Sequence, residues 1–155
     1  MKANSISFII SIVLFFACSP ESSSTDNVTQ DAAFTALEQL EEEIFNYSVG
    51  SNKNKLAKKG KALLISSKDY ISSHAGDPTL ERAYEMAALG AEVSGAYNDA
   101  INYLYLAQRN FPKSKKAPIY LFNRARILDD ILLKKRESEL AYRELIELYP
   151  DDSLS

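Results

Sequence analysis

Between Gly95 and Ser114 the chain reads GAYNDAINYLYLAQRNFPKS, small residues and aromatics in helical spacing closed by a Phe-Pro pair. A pattern this regular is built to lie against another helix. The same periodicity runs through the rest of the chain. In DAAFTALEQLEEEIFNY, Phe34, Leu37, Leu40, Ile44 and Tyr47 fall three or four apart and draw one apolar stripe, with acids on the other side. SVGSNKN interrupts it, and a second helix over about Lys55 to His74 carries Leu56, Leu63, Leu64, Tyr70 and Ile71 on one face. Lys55, Lys58, Lys59 and Lys61 gather near its start. HAGDP ends that helix, Asp77 being a natural cap and Pro78 a natural first residue of the next. The β-branched residues are scattered, and no Asn-Gly or Asp-Gly turn joins alternating runs. The expectation is an all-α chain, and 155 residues suffice for one modest domain.

The beginning reads differently. MKANSISFIISIVLFFACSP has a positive start at Lys2, an apolar run from Ile6 to Ala17, and a small residue before Cys18. That run is shorter than the roughly 20 residues needed to cross a bilayer. Residues 1–17 are therefore expected to be an export signal. Cys18 is the only cysteine, so no disulfide within the chain can form. Its position resembles the lipobox of bacterial lipoproteins, which implies cleavage before Cys18 and lipidation of its thiol. Ser19 after the cysteine implies, by the same resemblance, sorting to the outer membrane on its periplasmic side. Several acyl chains, at about 0.8 kcal/mol per buried methylene, make a durable anchor. Residues 18–30 are then expected to be a lipidated, flexible tether rich in Ser, Thr and Asp, with the folded domain at 31–155.

Pro78 to Pro112, PTLERAYEMAALGAEVSGAYNDAINYLYLAQRNFP, resembles the tetratricopeptide repeat (TPR), whose period is about 34 residues. Tyr84 takes the large aromatic position of its first helix, followed by Ala87, Ala88 and Ala91. Gly95 takes the turn, Ala100 and Ala107 the small positions of the second helix, Leu104 the bulky one between them, and Pro112 the close. Two antiparallel helices approach closely only where both lack bulk. APIYLFNRARILDDILLKKRESELAYRELIELYPDD resembles a second copy, with Tyr149-Pro150 repeating Phe111-Pro112 after 38 residues and KSKKAP as the expected place of the extra residues. It departs from the first at Leu133 for the turn glycine, Ser138 for Ala, and Arg126 for a small residue beside Ala125. The two helices before Gly76 are expected to supply a third, capping unit, giving a short TPR-like α-solenoid of about six helices.

Repeats of this kind in a lipid-anchored chain are similar to the envelope TPR proteins of the outer-membrane β-barrel assembly machine and the Tol-Pal coordinator. The resemblance implies a protein or peptide partner. It implies a groove lined by Arg82, Glu85, Leu89, Glu92 and Val93 of one first helix and Tyr120, Asn123, Ile127, Asp130 and Ile131 of the next. Leu89, Ile127 and Ile131 fit a hydrophobic core equally well. The lysine clamp by which some TPR proteins hold acidic carboxyl termini is missing. His74, the only histidine, beside Ser72 and Ser73, fits a helix end better than a catalytic base. No ligand set for a metal and no phosphate-binding glycine loop are present in the sequence, so no cofactor is expected. A formal charge of −3 disfavours nucleic acid. The reading that follows is a non-catalytic adaptor, with an accessory subunit of a larger envelope complex as the alternative.

Overall fold

A computed structural model describes residues 25–47 and 52–154, with residues 25–31 described by backbone alone. Every regular element among them is helical: α1 (Thr25–Tyr47), α2 (Lys53–Ser73), α3 (Leu80–Ser94), α4 (Tyr97–Asn110), α5 (Ala117–Arg126) and α6 (Lys135–Leu148). α5 runs on into a π-helical turn, Ile127–Ile131. This is the expected all-α, repeat-like architecture. The signal at residues 1–17 and Cys18 lie outside the described residues. Helix begins six residues before the expected boundary at Asp31, since Thr25 to Gln30 contain no Gly or Pro to stop it.

Each helix packs on the next in sequence, and the short connections make neighbours antiparallel. The repetition is visible in the ends of the even-numbered helices. α2, α4 and α6 each end on an aromatic residue, His74, Phe111 and Tyr149, with near-identical backbone angles and an N–H bonded to the carbonyl four residues back. The carbonyl of each cap then accepts from the N–H three residues on, at Asp77, Ser114 and Asp152. The side chains of these three accept in turn from the N–H two residues on, at Thr79, Lys116 and Leu154. The caps are therefore 37 and then 38 residues apart. The lengthened period is thus common to both intervals and is not an insertion at KSKKAP, because His74–Thr79 and Phe111–Lys116 are loops of equal length. The single residue of difference arises where α5 runs into the π turn.

The first and second helices of the middle unit meet as the alanine pattern requires. Ala100 and Ala107 are buried in one cluster with Ala88, Ala91 and Leu104. A closer approach lies between units. At the crossing of α2 and α3, a Cβ on Gly90 would stand 2.6 Å from the Leu64 backbone nitrogen and 2.7 Å from the Gly60 oxygen. Only glycine lets two helix backbones come so near. Leu37, Ile44, Leu63, Tyr70, Ala83 and Met86 close the core beside this crossing.

In the last unit Ala125 is fully buried against Leu128 and Ala141, so it substitutes for the small residue that Arg126 cannot be. Ser138 fits the other small position by turning its hydroxyl onto the Lys135 carbonyl. Leu133 occupies the left-handed position, φ 54°, that Gly95 holds at 82° in the preceding unit. The chain exits α3 by an Ala96 N–H to Ala91 carbonyl bond, spanning five residues, but leaves the π turn by Lys134 to Leu128, spanning six. The extra residue of the longer interval is the one the π turn accommodates.

Candidate functional site

α3 and α5 meet through long side chains and not backbone to backbone: Glu81, Glu85, Ala88, Leu89 and Glu92 face the cleft from one, Ile119, Tyr120 and Asn123 from the other. Between them opens a cleft of about 330 Å³, floored by Ala88 and Leu104 and walled by Leu89 and Ile119, with Lys116 at its end. Five residues assigned to a groove from sequence, Glu85, Leu89, Glu92, Tyr120 and Asn123, meet there.

The other five do not. Ile127 is fully buried with Ala88 and Leu104, and Ile131 packs beside it. Val93 turns to the α2 side, in contact range of Gly60. Arg82 pairs with Glu41 of α1 and with Glu85, 3.0 Å away. Asp130 is exposed on the π turn. The π turn rotates its residues relative to an α-helical continuation of α5, so the spacing that carried Tyr120 and Asn123 into the cleft is lost beyond Arg126.

Tyr120 is 3 % exposed and ties the two walls together. Its hydroxyl lies 2.7 Å from Glu81 Oε1 and also bonds Glu85. One phenolic proton thus bridges two carboxylates. Burial, then the two nearby carboxylates, push the Tyr120 hydroxyl far above its ordinary pKa, so it stays protonated and serves as a fixed donor. Glu85 is driven the other way. Burial alone would raise it, but hydrogen bonds from Lys116, Tyr120 and Arg82 outweigh that and hold its carboxyl below the usual 4.5. Glu41 is raised, because burial outweighs its pairing with Arg82.

Both acids that line the cleft are therefore neutralised from within, Glu85 by Lys116 at 2.8 Å and Glu92 by Arg126 at 2.7 Å. Among the described residues the Asn123 amide makes no hydrogen bond, and it remains available beside the apolar walls. The arrangement can accept an apolar side chain between Leu89, Leu104 and Ile119 and offer an amide donor and acceptor to a backbone. Lys116 and Ile119 escaped the sequence reading although they stand seven and four residues before Asn123, on its helical face.

His74 Nδ1 lies 3.0 Å from the Tyr70 carbonyl and 2.9 Å from Ser73 Oγ, and its ring stacks on Tyr70 at 4.0 Å. The ring is employed as a helix end. No group of three or more His, Cys, Asp or Glu side chains among the described residues could hold a metal ion.

Compared with known proteins, the chain matches no family profile, no curated sequence and no solved structure.

Proposed function

We propose that the chain is a non-catalytic, lipid-anchored TPR-like adaptor of the bacterial cell envelope, holding a segment of another protein in the cleft between α3 and α5. The supporting observation is the cleft itself: apolar walls, charges already paired, and one free amide at Asn123. That set suits a polypeptide with an apolar anchor rather than a charged metabolite. Replacement of Leu89 by Glu, or of Asn123 by Ala, is expected to abolish capture of the partner while leaving the helical circular dichroism unchanged. Retained capture by both variants would overturn the assignment. Tyr120 is unsuited to this test, since its loss would disturb the pairing of α3 with α5.

A second reading, an accessory subunit docked into an envelope complex by its outer surface and helix ends, is favoured by apolar exposure on α6. Leu140, Ile146 and Leu148 are all more than half exposed. Gel filtration of detergent-extracted protein separates the two, an exclusively high-mass species pointing to the subunit.

A further inference from the structure

Charge is sharply segregated within the first helix pair. α2 contains six lysines, no arginine and one acid, Asp69. Only Lys59 turns inward, to Glu43 and the Tyr47 ring on α1. Lys53, Lys55, Lys58, Lys61 and Lys68 are all exposed and form no ion pair among the described residues. The buried side of α2 is defined by Gly60, Leu63, Ser67 and Tyr70. At 100° per residue, Lys58, Lys61, Ile65 and Lys68 fall on the opposite side. Ile65, 51 % exposed, sits in the middle of this lysine strip, which is about 15 Å long from Lys58 to Lys68.

The choice of cation carries the argument. Where the molecule holds a carboxylate in a half-buried, shaped setting it uses Arg82, Arg124 and Arg126, and at Glu85 it adds Lys116 to Arg82. Arginine's planar fork suits such fixed partners, whereas lysine is a mobile point charge that needs no directional match. A row of unpaired lysines around one apolar side chain on an exposed helix face fits a fluid anionic surface better than a contoured protein site. We propose that the solvent face of α2 lies on anionic lipid headgroups and so orients the repeat domain against the membrane. This rests on the anchored reading above, which brings a bilayer within reach.

The test uses the full chain with vesicles of phosphatidylcholine alone, or with about one third phosphatidylglycerol. Flotation with neutral vesicles reads the anchor. Labelling of lysines by an amine-reactive ester, resolved by mass spectrometry, reads the face. Lys58, Lys61 and Lys68 are expected to be labelled at least about fivefold more slowly on anionic than on neutral vesicles, the factor one lysine near such a surface contributes. Lys113 and Lys115 should be unaffected, and salt of about 0.5 M should remove the difference. Flotation with anionic vesicles alone, with the same protection, would sink the anchor but sustain the face. Equal labelling of α2 on both vesicles, flotation with neither, or protection that requires an added acidic protein would each overturn the proposal. The variant K58E/K61E/K68E, altered only at exposed positions, should lose the protection with its helicity intact.

Discussion

Replacing Gly90 by Ala tests the tightest contact in the fold. In an ordinary helix interior this change gains about 0.5–1 kcal/mol, because glycine loses more backbone freedom on folding. Here the added methyl would meet the Leu64 nitrogen at 2.6 Å and the Gly60 oxygen at 2.7 Å, where ordinary contact begins at 3.4 Å. α2 and α3 must part by about 0.8 Å, since backbone atoms cannot rotate aside as a side-chain tip would. Overpacking of this kind costs about 1–3 kcal/mol, and the separation loosens Leu63, Ala83 and Met86 beside the crossing. The net expectation is a loss of about 1–2 kcal/mol, or roughly 2–8 °C in Tm for a chain of this size. Thermal and urea unfolding followed at 222 nm provide the assay. A variant as stable as the parent, or more so, would show that the helices do not approach backbone to backbone.

Other substitutions probe separate features. Ser67 is fully buried and its hydroxyl has no partner among the described residues, so Ser67→Ala should raise stability by about 1 kcal/mol, seen as a higher urea midpoint. Leu133→Gly relieves a left-handed residue that is 72 % exposed, and should stabilise by about 0.5–1 kcal/mol in the same assay; a loss would mean that the leucine side chain packs. Glu85, whose folded pKa lies below 4.5, contributes stability that is present above that pH and disappears as pH falls through the lowered value. The parent should therefore lose stability more steeply than Glu85→Gln on acidification from about pH 5 to 3. Glu41 acts with the opposite sign, and because the Glu85 charge is among the causes that raise it, Glu85→Gln also weakens that shift and offsets part of the difference between the two proteins.

The helices were legible because their apolar spacing is simple and their ends carry Gly, Pro or Asn. The alanine contact was legible too, since Ala88, Ala100 and Ala107 have no other reason to recur among bulky neighbours. Gly60 and Gly90 were not, because a glycine inside a helical run looks like a local weakness until its partner on another helix is known. The groove failed beyond Arg126 for a related reason. Its positions assumed an unbroken α-helix, and nothing in ILDDI marks the π turn that redirects them. Charge neutralisation of Glu85 and Glu92 lay equally out of reach, since Lys116 and Arg126 come from the next unit, more than thirty residues away.

The most direct measurement is photo-crosslinking in cells from single sites in the full chain. A photoreactive residue at Leu89 or Asn123, inside the α3–α5 cleft, should yield a discrete polypeptide adduct, whereas one at Asn102, on the exposed side of α4, should yield none. Adducts of equal yield from all three positions, or from Asn102 alone, would contradict a partner held in the cleft.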